Sequence, residues 1–153
     1  MEPAKSVEIE KVEEGSFYWF KRYDQNFLLV FIYRKTSQKA ILNNDWLNMW
    51  LCYVGSDNKL KTQSISNVEM ENIEVLSAEM EDEEEMKVLI DQLIKATQDV
   101  LIESFQLGGF FGTKATQFTT VEHYRILGLL LKLYGNRFSQ SFIKLENLEL
   151  PGF

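Results

Sequence analysis

The sequence predicts an α+β domain in which an antiparallel β-meander of three to five strands precedes two helices that pack on one face of the sheet. The first half of the chain contains short β-branched and aromatic runs separated by turn residues. The second half contains apolar residues at three-four spacing over several turns, which is the helical period. With 153 residues and only two prolines, one near each end, the chain is expected to form a single domain over residues 1–153.

The N-terminal strands are predicted from aromatic and β-branched runs. Residues 1–14 are charged, and their apolar residues alternate with glutamates, which fits a weak edge strand or a loose N-terminal arm. Residues 17–20 are all aromatic and predict a strand. A hairpin loop at residues 23–26 then leads into the apolar run 27–33, which is typical of a strand covered on both faces.

Further strands are predicted after this central run. Residues 46–54 form the next apolar segment, and the Gly-Ser-Asp-Asn cluster at residues 55–58 is a strong turn signal. Residues 60–65 alternate in polarity and predict a strand after the turn. Apolar residues between positions 68 and 75 extend that strand or begin another one.

A long helix is predicted over residues 77–106. Its apolar residues recur every three or four positions from Met86 to Phe105, so one face is expected to be buried. The acidic run at residues 81–85 lies in the first turns, where the positive end of the helix dipole favours negative charge. Two glycines at residues 108–109 end the helix.

A second helix is predicted over residues 119–134. A capping box, threonine followed three places on by glutamate, begins it, and Gly135 with Asn136 is typical of a left-handed cap at its end. Its leucines lie on nearly all sides, so the helix is expected either to be buried centrally or to contact another chain through its outer side. Residues 142–150 fit a final short strand or a short helix.

Charge is distributed unevenly along the chain. Residues 69–91 carry ten acidic side chains and one lysine, a net charge of −9, whereas the whole chain has −7. Residues 16–65 hold seven basic and three acidic residues. The five consecutive acids at residues 81–85 point all round the helix, although one face would suffice for capping. Such a dipolar molecule can attract a partner with a basic surface or pair two copies head to tail.

The candidate partner-binding residues combine the acidic run with an aromatic pair in the loop after the first helix. Two adjacent phenylalanines at a loop tip either fill the edge of the core or anchor a partner. The candidate residues are Glu81, Asp82, Glu83, Glu84, Glu85, Phe110 and Phe111. The expected partners are another protein with a basic surface and a second copy of the chain, in a homodimer.

Several other chemistries fit the sequence poorly. The lysine in the glycine-containing loop at residues 108–114 does not directly follow the last glycine, so the loop is not a phosphate loop. A single histidine, His123, excludes metal sites built on several histidines, and the acidic run lacks the glycine and the ligand order of an EF-hand. No cofactor is expected. Cys52 lies within an apolar strand and is expected to be a buried, inert thiol.

Composition also constrains the location of the protein and its type of partner. The net charge of −7 opposes nucleic-acid binding, although basic and aromatic residues interleave at residues 17–23. The N-terminus has no apolar run typical of a signal peptide. The densest apolar stretch, residues 126–133, is far shorter than the ~20 residues that a membrane span needs. A cytoplasmic protein without a membrane span is therefore expected.

The leading functional hypothesis is a non-catalytic protein-binding module of the chaperone, inhibitor, immunity or assembly-factor type. One alternative is a small hydrolase or transferase that uses Asp45 or Asp57 together with His123. The other is a carrier of an apolar small molecule in a cavity between the sheet and the helices. Aromatic side chains would line that cavity, namely Trp19, Phe31, Trp46 and Trp50.

Overall fold

The computed structural model describes residues 5–23, 25–39, 45–66, 70–106 and 120–146. A five-stranded antiparallel sheet comes first and helices follow, so the predicted α+β class is confirmed. The strands are β1 (Phe17–Arg22), β2 (Leu28–Lys39), β3 (Asp45–Val54), β4 (Leu60–Ser66) and β5 (Ile73–Ser77). Most strands lie where the sequence predicts them, but β2 continues beyond the predicted run 27–33 through the polar residues 34–39, where it pairs with the start of β3.

In the part of the chain that the structure describes, three helices follow the sheet instead of two: α1 (Glu83–Gln106), α2 (Thr120–Tyr134) and α3 (Ser139–Glu146). The first helix begins later than residue 77, because Ile73–Ser77 pairs with β1 as strand β5 and Met80–Asp82 forms a separate 3-10 turn. The sequence predicts either a short strand or a short helix over residues 142–150. The described part of this segment belongs to helix α3, and residues 147–150 lie outside the described residues.

The left-handed cap predicted after α2 is wrong. Gly135 does not adopt a positive φ, because the chain continues through a short turn into α3. Across this turn the N–H of Phe138 donates to the carbonyl oxygen of Tyr134 at 3.0 Å. Glycine is needed for another reason, since a Cβ at this position would collide with the carbonyl oxygen of Leu131. The capping threonine at residue 119 lies outside the described residues.

The sheet is strongly curved. Its strand order is β4-β3-β2-β1-β5, so β4 and β5 follow each other in sequence but lie at opposite edges. In a flat sheet those edges would be roughly 19 Å apart. The described part of the connection between them includes a turn at residues 71–72. A cavity of about 130 Å³ is lined by residues of all five strands, including Ile65 of β4 and Ile73 of β5, as curvature requires.

One face of the sheet packs against the helices. Alternate residues of β1 and β2 point to this side, where Phe17, Leu29 and Phe31 are buried. Helix α1 contacts β3 and β4 on one side and α2 and α3 on the other. The buried face of α1, represented by Ile90 and Leu93, is therefore the centre of the core.

The opposite face of the sheet is covered by the N-terminal segment. Val12 is fully buried there, and Lys35 holds the segment in place because its Nζ donates to the carbonyl oxygens of Glu10 at 2.8 Å and Val12 at 2.6 Å. Residues 5–15 contribute one isolated bridge, Ser6 to Leu76, and a short 3-10 turn. The two layers of core explain why β2 is apolar on both faces.

Candidate protein-binding groove

The acidic start of α1 divides into two sets of carboxylates. We call Glu79, Asp82 and Glu83 the inner carboxylates, because their side chains are half-buried and Asp82 and Glu83 face partners within the fold. We call Glu81, Glu84 and Glu85 the outer carboxylates, because all three side chains are exposed. The difference arises from the helical period, which directs neighbouring acids to different sides.

The inner carboxylates cap the start of the helix. A carboxylate oxygen of Asp82 accepts the N–H of Glu79 at 2.8 Å. The hydroxyl of Ser77, the last residue of β5, donates to a carboxylate oxygen of Glu79 at 2.8 Å. These bonds fix the angle at which the chain leaves β5 and enters the 3-10 turn before α1.

A second contact ties the helix start to the C-terminal part of the chain. Nε of Arg137 lies 3.0 Å from Oε1 of Glu83, and a second guanidinium nitrogen donates to the carbonyl oxygen of Met80 at 3.3 Å. The guanidinium also lies 5.4 Å from the ring centre of Phe138. Arg137 therefore neutralises one charge of the acidic run and holds the turn between α2 and α3 against it.

The outer carboxylates have no such role. Among the described residues, no ion pair and no hydrogen bond engages the side chain of Glu81, Glu84 or Glu85. Met80, immediately before Glu81, has 78% of its surface exposed. The helix start thus presents unpaired negative charge to solvent beside an exposed apolar side chain.

An apolar groove lies next to the outer carboxylates, between the β1–β2 hairpin and α1. We call it the hairpin–helix groove, and its volume is about 250 Å³. Four residues of the strands, one of the β1–β2 hairpin loop and three of α1 line it: Trp19, Leu28, Leu29, Val54, Phe27, Glu85, Val88 and Leu89. Among these lining residues only Glu85 is charged, so one outer carboxylate belongs to the groove itself.

Strand register explains how distant residues meet in the groove. Trp19 lies opposite Leu29 in the β1–β2 pair, so both side chains are on the helix-covered side of the sheet. Val54 is the last residue of β3 and also lines the groove, so a third strand contributes to its wall. Leu89 is buried and lines the groove from the helix side, so it holds α1 against the sheet at this point.

Two side chains of the groove are apolar and yet exposed. Leu28 is 38% exposed and Val88 is 49% exposed. Val88 follows Glu81 and Glu85 at helical spacing, so it continues the row of outer carboxylates along α1. On the hairpin side, Nζ of Lys21 lies 5.4 Å from the ring centre of Phe27. The groove is therefore apolar at its floor, acidic along the helix and bordered by one lysine on the hairpin.

The structure places only some of the predicted site residues together. Of the acidic run, Glu81, Glu84 and Glu85 face solvent, whereas Asp82 and Glu83 are engaged inside the fold. Phe110 and Phe111 lie outside the described residues. The apolar residues next to the outer carboxylates come instead from the hairpin and from α1.

The sequence contained one overlooked signal for this groove. Val88 lies off the buried stripe of α1, on the polar side of the helix. An apolar residue out of phase with the stripe indicates a surface anchor. Phe27 and Val54 have no comparable signal in the sequence, because they are the first residue of the apolar run 27–33 and the last residue of the apolar run 46–54.

The central burial predicted as one option for α2 is wrong. Ile126, Leu127 and Leu130 are buried against the rest of the fold. Tyr124 and Leu131 are each about half exposed, so α2 is a surface helix with apolar residues on its outer side. The helix lies over α1, and nothing among the described residues covers its outer side.

Of the three residues considered for an enzyme, the structure describes only the side chain of Asp57. Asp57 lies in the β3–β4 turn, where hydrogen bonds from the Lys61 side chain and from the N–H of Lys59 lower the pKa of its carboxyl. Cys52 is fully buried as predicted, and burial raises the pKa of its thiol to about 12. The side chains of Asp45 and His123 lie outside the description.

The aromatic residues considered for a carrier are dispersed. Phe31 is fully buried in the core. The guanidinium carbon of Arg34 lies 4.8 Å from the ring centre of Trp50. Trp19 lines the hairpin–helix groove, and the side chain of Trp46 lies outside the description. On the other face of the sheet a cavity of about 420 Å³ lies among Ile9, Glu10, Lys35, Ser37, Leu47, Met70 and Glu71.

No protein-family model, no curated protein and no solved structure matches the chain. Across the described ranges, no three His, Cys, Asp or Glu side chains are grouped to hold a metal ion. None of the helices in those ranges combines the length and the apolar character that a bilayer crossing requires.

Proposed function

We propose that the chain is a non-catalytic protein-binding module whose binding surface is the hairpin–helix groove together with the outer carboxylates. The observation that carries this proposal is an apolar groove that contains the exposed side chains of Leu28 and Val88 and the unpaired carboxylate of Glu85. Two more carboxylates without a partner among the described residues, Glu81 and Glu84, are exposed within the preceding turn of the chain. Exposed apolar side chains beside fixed charge are typical of an interface with an apolar centre and a polar rim.

Charge and size define the chemistry of the partner. The volume of about 250 Å³ suits one or two apolar side chains. Glu81, Glu84 and Glu85 on one side favour lysine or arginine next to that anchor. The partner is therefore a protein segment with a bulky apolar residue flanked by basic residues, which fits an assembly-factor, inhibitor or chaperone type of module.

Site-specific cross-linking tests the proposal. Benzoylphenylalanine replaces Val88 in one variant and Lys59, an exposed residue of the β3–β4 turn, in a control variant. After irradiation in native lysate, we expect position 88 to give specific adducts whose cross-linked peptides carry lysine or arginine beside an apolar residue. Adducts that are identical at both positions, or adducts at position 88 to acidic segments, would contradict the proposal.

A second candidate function is the carrier of a small molecule, in the cavity of about 420 Å³ on the other face of the sheet. This volume lies within the usual range for ligand sites, about 300–1,000 Å³. Ile9, Leu47 and Met70 supply apolar wall, and Lys35 supplies a cation. A small molecule that remains with the protein in native mass spectra, and is lost in a Leu47→Trp variant that fills the cavity, would support the carrier; spectra of the bare chain would reject it.

A further inference from the structure

The outer side of α2 has the chemistry that the hairpin–helix groove lacks. Tyr124 is 52% exposed and Leu131 is 50% exposed. They are seven residues apart, so they lie in one row two turns long, with the small Gly128 between them. Arg125 and Lys132, both exposed, form a parallel basic row directly beside it. An apolar row with a basic border is the complement of an apolar groove with an acidic border.

The groove and the outer side of α2 cannot meet within one molecule. Helix α2 is held on α1 by its buried residues Ile126, Leu127 and Leu130. Its outer side therefore points away from the molecule to which it belongs. The groove lies at a different side of α1, against the β1–β2 hairpin. Only a second molecule can bring the two surfaces together.

We infer that the chain self-associates by placing the outer side of α2 of one copy in the hairpin–helix groove of another. Tyr124 or Leu131 enters the groove beside Val88, and Arg125 and Lys132 pair with Glu84 and Glu85. The inference rests on the proposed binding role of the groove and names a second copy as one of its occupants. The two surfaces differ, so a single contact between two molecules leaves the groove of one and the outer side of α2 of the other unoccupied. If both molecules form the contact with each other, the result is a closed dimer.

Charge reversal on each surface separately provides the test. One variant carries Glu84→Lys and Glu85→Lys, and the other carries Arg125→Glu and Lys132→Glu. All four side chains are exposed, so folding is expected to be retained and is checked by circular dichroism. The mass of purified wild type and of each variant is measured by sedimentation equilibrium over a range of concentrations and salt.

We expect the average mass of the wild type to rise with protein concentration, and to rise less at high salt than at low salt. Each variant alone should associate roughly tenfold or more weakly. An equimolar mixture of the two variants should associate again, because the basic groove of one fits the acidic α2 of the other. A wild type that remains monomeric throughout, or a mixture that does not recover, would overturn the inference. The inference would also be overturned if the Arg125→Glu, Lys132→Glu variant lost association while the Glu84→Lys, Glu85→Lys variant associated like the wild type, because that result would indicate pairing between two α2 helices.

The same variants separate this inference from the proposed function. The Arg125→Glu, Lys132→Glu variant keeps its groove, so it should still form adducts to other proteins through benzoylphenylalanine at position 88. If those adducts persist while the wild type is monomeric, self-association is rejected and the binding function stands. If neither adducts nor association are observed, both are rejected.

Discussion

The inner and outer carboxylates come from one continuous acidic run, yet the fold uses them differently. Asp82 and Glu83 have partners at 2.8 and 3.0 Å, supplied by the chain entering the helix and by Arg137. Glu81, Glu84 and Glu85 lie on the remaining sides of the same turns and face solvent beside the groove. The comparison shows that helix capping and the ion pair with Arg137 engage Asp82 and Glu83, whereas the outer carboxylates have no hydrogen-bond or ion-pair partner among the described residues.

The largest expected effect concerns the apolar anchor beside the outer carboxylates. Val88→Asp places a charge in the hairpin–helix groove, so the partner segment identified by cross-linking should bind at least ~30-fold more weakly, about 2 kcal/mol. Because Val88 is half exposed, stability should change little. Titration calorimetry measures the affinity. Ser37→Asp, which adds the same charge at an exposed position near the far end of β2, is the matched control and should leave the affinity unchanged.

Neutralising the outer carboxylates should have the next largest effect. Glu81→Gln, Glu84→Gln and Glu85→Gln together should weaken partner binding roughly tenfold at low salt and flatten its salt dependence. Unfolding free energy should change by less than about 1 kcal/mol, since these side chains have only the helix dipole to lose. Equal affinity and an unchanged salt slope in the variant would break the distinction between the two sets.

Removing an inner contact should reverse that pattern. Arg137→Met breaks the ion pair to Glu83 and the bond to the carbonyl oxygen of Met80, so unfolding free energy should fall by about 1 kcal/mol. Partner affinity of the folded variant should stay within about twofold. Urea denaturation measures the first quantity and calorimetry the second. A double-mutant cycle with Glu83→Gln isolates the ion pair, and zero coupling there would contradict its structural role.

The smallest expected effect lies in a paired carboxylate outside the acidic run. The folded-state pKa of Asp57 is lowered by Lys61 and the N–H of Lys59, so its contribution to stability is present above the unfolded pKa and is lost as pH falls through the folded value. Asp57→Asn should therefore slightly flatten the acid side of the stability profile and leave partner affinity unchanged. A steeper acid limb in chemical denaturation across pH would contradict this assignment.

Local patterns in the sequence predict the fold well and the site only in part. The strands and α2 are found where period and turn residues place them, because those signals are local. The start of α1 was placed too early because β5 forms through pairing with β1, more than fifty residues away, which no local pattern contains. The curvature of the sheet likewise depends on strand order and on a short connection.

The division of the acidic run could not be predicted for the same reason. Glu83 is an inner carboxylate only because Arg137, distant in sequence, reaches it. The groove needs Trp19, Val54 and Val88 from three separate elements. What the sequence does indicate is an excess of acids over those needed for capping and an apolar Val88 out of phase with the buried stripe of α1. Those two signals together point to the surface that the fold assembles.

Random-peptide display tests the central claim most directly. The library is selected on immobilised wild type, and the enriched peptides are then tested one by one for binding to the Glu81→Gln, Glu84→Gln, Glu85→Gln variant, to Val88→Asp and to Arg137→Met. The predicted result is an enriched class of peptides with a bulky apolar residue beside lysine or arginine, which lose binding to Val88→Asp and keep it with Arg137→Met. No enrichment, or enriched peptides that bind the neutralised and Val88→Asp variants as well as the wild type, would contradict the claim that this groove and its outer carboxylates bind a protein partner.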